Sequence, residues 1–143
     1  MTTVYKLKDY RQTIRFEREH PKPLQWDERY KTYLLSQKDG VQGIWIKEKD
    51  ILIGEVILTW DSDNVAHVDS FTVLPEYRGK GIGYDLIKEA INWTTEYGME
   101  YIVGEARQGA SWNIFQKFGA EEILTHKNWT KTNESYVSFK IKL

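Results

Sequence analysis

Three glycines at alternate positions, Gly79, Gly81 and Gly83, lie in the segment Val73-Leu74-Pro75-Glu76-Tyr77-Arg78-Gly79-Lys80-Gly81-Ile82-Gly83. The chemistry this spacing serves is phosphate binding. Residues without a Cβ let the backbone turn tightly and approach a ligand closely. At a helix start the first N–H groups point outward with the macrodipole behind them, which makes a cradle for phosphate or pyrophosphate. Arg78 and Lys80 add positive charge at its mouth. Two familiar phosphate motifs do not fit. No Lys-Ser or Lys-Thr pair ends the segment, and G-x-G-x-G is not the G-x-G-x-x-G of a dinucleotide fingerprint.

Just upstream, Val65–Leu74 reads as a strand. Simple alternation places His67, Asp69, Phe71 and Val73 on one face of it. An imidazole is suited to taking a proton near neutral pH, so His67 is a candidate general base. Asp69 could orient it or hold a cationic amine. Glu55 and Glu105 are further carboxylates near strand centres or ends. Each of these four also has a plain reading as a solvated or satisfied polar residue. There is no cysteine, which excludes a thiol nucleophile, disulfides and thiolate metal sites. No metal is called for.

The elements that must hold these residues follow from periodicity. Gly81–Tyr97 has helical spacing, with Ile82, Leu86, Ala90, Trp93 and Tyr97 in one stripe widened by Ile87, Ile91 and Thr94. Gly98 is a fitting stop. Tyr101–Ala106 reads as a strand, so strand, helix and strand form a right-handed parallel crossover. Ala110–Phe118 is a second amphipathic helix. Val4–Leu7, Gly43–Lys47, Ile51–Trp60, Glu122–His126 and Tyr136–Ile141 read as strands, with polar turns at Glu48-Lys49-Asp50 and Asp61–Asn64. Asp9–Gln37 suggests two short helices around His20-Pro21-Lys22-Pro23. The expected fold class is α+β (mixed α/β) in one domain over residues 1–143, without repeats or linkers.

The central segment closely resembles the signature of the GNAT acetyltransferase superfamily, V-x-P, a short gap, then [R/Q]-x-x-G-x-[G/A] between a strand and a helix. Val73-Leu74-Pro75 and Arg78-Gly79-Lys80-Gly81-Ile82-Gly83 match it at every position. A later stretch, Gly109–Ala120, is similar to the family's A-x-x-L-Y-E-K-x-G-F helix through Ile114, Lys117 and Gly119. The resemblance implies a mixed, mostly antiparallel sheet flanked by helices, with one parallel strand pair at the cofactor cleft. It implies acetyl-coenzyme A (acetyl-CoA) as co-substrate, held by Phe71, Val73, Arg78, Gly79, Lys80, Gly81, Ile82, Gly83, Gln108, Ser111 and Phe115. Backbone N–H groups near Val73 would face the reacting carbonyl. It further implies N-acetyl transfer to a primary amine of a small molecule or protein, by direct attack in a ternary complex. Phe115 departs from the pattern, because many members carry there a tyrosine thought to protonate the departing thiolate.

Phe115 keeps a second reading open, a coenzyme A-binding module with weak or no catalysis. A third is a subclass that acetylates aminoacyl-tRNA. Lys and Arg number 20 against 21 Asp and Glu, and this near-neutral balance argues against a nucleic-acid partner. No apolar stretch approaches the roughly 20 residues of a spanning helix. No signal peptide is evident at Met1–Lys6, so the expected location is the cytoplasm. Many relatives dimerise, so the resemblance allows a homodimer. Six tryptophans and an aromatic share of 14% supply core material. Trp45, Trp60, Trp93 and Trp112 are expected in the core. Trp26 and Trp129, in loops, are candidates for a substrate wall.

Overall fold

The structure is a computed structural model, and it describes residues 2–7, 15, 40–49, 51–60, 64–127 and 135–143. The helices expected within Asp9–Gln37, the loop residues Trp26 and Trp129, and most of the two polar turns lie outside the described residues. Among the described residues seven strands form one sheet: β1 (Thr2–Leu7), β2 (Val41–Glu48), β3 (Ile51–Trp60), β4 (Val65–Val73), β5 (Tyr101–Arg107), β6 (Glu121–His126) and β7 (Tyr136–Lys142). Their order is β1-β2-β3-β4-β5-β7-β6. Every pairing is antiparallel except β4 with β5. That parallel pair flanks helix α1 (Ile82–Glu96), as the crossover rule requires, and helix α2 (Ala110–Lys117) follows β5. The mixed α+β class and its single parallel pair are therefore as expected. Strand and helix boundaries shift by one or two residues.

Helix α1 buries Gly83, Leu86, Ile87, Ala90, Trp93 and Thr94. Of these, Leu86, Ile87, Ala90 and Trp93 pack with Ile44, Val56, Leu58, Ala66, Ile102, Phe115 and Phe139 into the main core. Burial of such side chains supplies most of the drive to fold, at about 25 cal/mol per Å² of apolar surface removed from water. Trp45 and Trp93 are buried, whereas Trp60 and Trp112 are only half-buried. Tyr97, expected on the buried stripe, is exposed and instead leans on Trp60 and Trp93, with ring centroids 5.4 and 6.2 Å away. It sits just past the last helical turn, where the helix no longer holds it against the sheet.

The register is irregular in β3, β4 and β6, and the first two shifts bear on the site. Ile53 has no partner on β2, because Ile46 faces Gly54 and Lys47 faces Leu52. The register with β3 skips Asp69, because Ile57 faces Ser70 and Leu58 faces Val68. An extra residue in one strand is a β-bulge, which reverses the side-chain alternation beyond it. The expectation that His67, Asp69, Phe71 and Val73 share a face is therefore corrected. Ala66, Val68, Phe71 and Val73 face the helices and join the core. His67, across from Thr59, and Asp69, which accepts a hydrogen bond from Thr59 Oγ1, face the other side.

Candidate active site

Strand β4 pairs β5 only from Val65 opposite Tyr101 to Val68 opposite Gly104. Beyond that point β4 stays on β3 as far as Val73, and β5 stays on β7 as far as Arg107. The two strands part, and a cleft of about 770 Å³ opens between them. Along its β4 side, alternate peptide groups between Asp69 and Val73 face the gap rather than a neighbouring strand. Such an edge can pair with the amides of an extended ligand.

The bulge that redirects β4 is fixed from behind. Glu55, only 3% exposed, accepts hydrogen bonds from Trp45 Nε1 at 3.2 Å and from Ser70 Oγ at 3.0 Å. Breaking a buried carboxylate network of this kind is costly, so it holds Ser70 and the strand beyond it in place.

At the open end of the cleft, Pro75–Tyr77 form a single 3-10 turn. Arg78 Nε then donates 2.9 Å to the carbonyl of Val73, tying the loop to the strand. Gly79 and Gly81 have φ of +76° and +85°, the left-handed region that glycine adopts without strain. Gly81 caps α1 with no side-chain hydrogen bond, and the N–H of Asp85 is the one that reaches back to the Gly81 carbonyl. The N–H groups of Ile82, Gly83 and Tyr84 precede the first intrahelical bond and have no acceptor within α1, with the positive end of the helix behind them. The glycine turn and the helix start expected from the sequence are both present. A Cβ at Gly83 would lie 2.9 Å from Ile114 Cδ1 and 3.1 Å from Phe71 Cζ, so this glycine lets α1 approach both side chains.

Most residues expected to hold the cofactor line this one cleft: Phe71, Val73, Arg78, Gly79, Gly81, Ile82, Gly83, Gln108, Ser111 and Phe115 all do so. Lys80 does not. Its ammonium lies over the ring of Tyr77, 5.3 Å from the centroid, at the outer margin. Phe115 is 1% exposed, stacked on Phe139 and edge-on to Phe71.

The candidate bases separate. Asp69 and Glu105 each line this cleft and also a smaller one of about 240 Å³ that no helix residue lines. His67 lines only the smaller cleft. Glu105 is the first residue of β5 past the last position paired with β4, is exposed, and lines both clefts. Sequence reasoning missed Ser70, Arg107 and Tyr136 as lining residues. Tyr136 arrives on β7, opposite Arg107, and no local pattern announces that placement.

A model of the acetyltransferase (GNAT) family matches residues 7–120. An uncharacterized N-acetyltransferase of Methanocaldococcus jannaschii is 27% identical over 124 residues, which is 81% of this chain and 54% of that protein. The chain thus spans about half the length of this curated relative. Among solved structures, an IAA acetyltransferase from Bacillus cereus superposes with a TM-score of 0.75 at 14% identity, covering 100% of both chains. The ribosomal-protein-S18-alanine N-acetyltransferase of Escherichia coli gives 0.75 at 18% identity, over 99% of this chain and 94% of that one. A GNAT family acetyltransferase of Elizabethkingia anophelis with acetyl-CoA bound gives 0.73 at 15% identity, over 99% and 98%. At these identities the structures establish the fold. Together with the family match over most of its length, they show that this chain belongs to the GNAT acetyltransferase family.

Proposed function

We propose that the protein transfers an acetyl group from acetyl-CoA to a primary amine, by direct attack within a ternary complex. The observation that carries this reading is the parting of β4 and β5 between the uncapped start of α1 and the carboxylate of Glu105. The cleft fits the cofactor in three respects. The N–H groups of Ile82–Tyr84 and the Arg78 guanidinium suit a pyrophosphate. The free edge of β4 suits the amides of a pantetheine arm. The apolar wall of Phe71, Ile114 and Phe115 suits its methylenes.

Acetyl-CoA supplies an activated acyl group, and the chain's residues do the rest. An amine attacks only when neutral, so a proton must leave it. Glu105 is the group best placed to take that proton, since it faces both the cofactor cleft and the open side. Asp69 already accepts the Thr59 hydroxyl, which suits it to holding the amine rather than deprotonating it. N–H groups on the free edge of β4 offer donors to the carbonyl oxygen as it gains charge. Ser111 lines the cleft one helical turn before Phe115 and has a hydroxyl to offer the leaving sulfur.

The acceptor in this reading is a small-molecule or protein amine, and the site of action is the cytoplasm. No helix among the described residues is long and apolar enough to cross a membrane. The test is release of free thiol from acetyl-CoA across a panel of amines. The second reading, a coenzyme A-binding module without turnover, rests on the missing hydroxyl at Phe115. It predicts that acetyl-CoA raises the melting temperature while no amine releases thiol.

A further inference from the structure

The smaller cleft has a mixed wall. Asp69 and Glu105 line both this cleft and the larger one, and His67 on β4 lines this one alone. Val103 and Ile123 supply apolar surface to the same cavity. Ile123 is 62% exposed and its neighbour Leu124 is 54% exposed, on an edge strand that elsewhere carries Glu121 and Glu122. Ile123 is also the unpaired residue of a bulge in β6, since Glu122 faces Phe139 and Leu124 faces Ser138. Bulges re-aim a side chain, and this one brings Ile123 to the cleft. A large aliphatic side chain left in water at a cavity rim has surface to bury against a ligand.

From this we infer that the smaller cleft takes the acceptor, and that the acceptor carries a compact apolar group a few bonds from its amine. The inference rests on the reading of the protein as an amine acetyltransferase and narrows its substrate class. Charge complementarity sets the ammonium end against Asp69 and Glu105, and because these two residues line both clefts the nitrogen is held on the side of the acyl donor. The apolar group then lies between Val103 and Ile123. A volume of about 240 Å³ suits a short branched or cyclic hydrocarbon. It is smaller than the roughly 300–1,000 Å³ of sites that enclose drug-sized ligands. The polar groups that line the smaller cleft besides the two carboxylates are His67 and Ser138, and Ser138 already shares a 2.8 Å hydrogen bond with His126, so the Val103–Ile123 surface favours a hydrocarbon over a second cation or a hydroxyl.

The test compares isopentylamine with ethanolamine and putrescine as acceptors, using wild-type protein and Ile123→Ser, and reads free-thiol release. Isopentylamine is expected to show a kcat/KM at least tenfold above either polar amine. Ile123→Ser is expected to raise its KM about tenfold and leave the KM for acetyl-CoA within twofold, a discrimination in the range of small apolar contacts. Equal use of the three amines, or an unchanged KM in Ile123→Ser, overturns the inference while leaving amine acetylation standing. Thiol release with none of them bears on the catalytic reading instead. In that case the ¹³C resonance of the Ile123 Cδ1 methyl, followed in wild-type protein with acetyl-CoA present, decides. A saturable shift with isopentylamine and none with ethanolamine supports the inference, and no shift with isopentylamine overturns it.

Discussion

The ring of Phe115 stacks on that of Phe139 with centroids 4.3 Å apart and 28° between planes. Phe71 closes the group edge-on, 5.5 Å from Phe115. Phe115 therefore joins helix α2 to β7 and to the wall of the larger cleft at once. At a position where the family pattern carries a tyrosine, this chain has spent the side chain on packing. Phe115→Ala is expected to cost about 3–5 kcal/mol of stability, as large aromatic deletions in cores do. Urea denaturation checks it, and a loss under about 1 kcal/mol would contradict the packing role.

Gly81 makes the start of α1 with φ of +85°. An aspartate there takes a strained conformation, costing about 1–2 kcal/mol, and sets a negative charge beside the phosphate cradle. Gly81→Asn tolerates the same backbone without the charge. Acetyl-CoA is expected to raise the melting temperature of wild-type protein and, to a smaller extent, of Gly81→Asn, but not of Gly81→Asp. An equal shift in all three would refute the cradle.

Gly83 is constrained differently, by crowding against Ile114 and Phe71. Ile114 Cδ1 can swing aside, but the Phe71 ring is held by Phe115. Gly83→Ala should cost about 1 kcal/mol. It should also push Phe71 toward the cleft, so that acetyl-CoA binds several-fold more weakly in calorimetric titration. Unaltered affinity would mean that the wall at Phe71 does not touch the cofactor.

Glu105 lines both clefts, whereas His67 lines only the smaller one. Glu105→Gln is expected to lower kcat by about 10²–10³, in the range lost with a general base. His67→Ala is expected to keep kcat within about tenfold and act mainly on the acceptor KM. Steady-state kinetics with both substrates varied distinguishes them, and the reverse ranking would return the base to His67.

What the sequence made legible was local. Pro75, the three glycines and the stripe of α1 lie within one short stretch, and their conformational demands are written in residue type. The core roles of Trp45 and Trp93 were likewise readable. The side-chain directions along β4 were not, because one extra residue at Asp69 turns Phe71 and Val73 away from His67. A signal existed in the adjacent polar pair Asp69-Ser70, which breaks an alternation otherwise kept by Ala66, Val68, Phe71 and Val73. The arrival of Tyr136 beside Arg107 depends on β7 inserting between β5 and β6, a long-range pairing that no window of sequence contains.

The central claim is acetyl transfer through the gap between β4 and β5. It is tested most directly by incubating the protein with acetyl-CoA and an amine panel, then measuring free thiol and acetylated amine together. The account predicts amine-dependent thiol release matched one for one by acetylated product, and its near-loss in Glu105→Gln. Acetyl-CoA that binds tightly yet releases no thiol with any amine would contradict it.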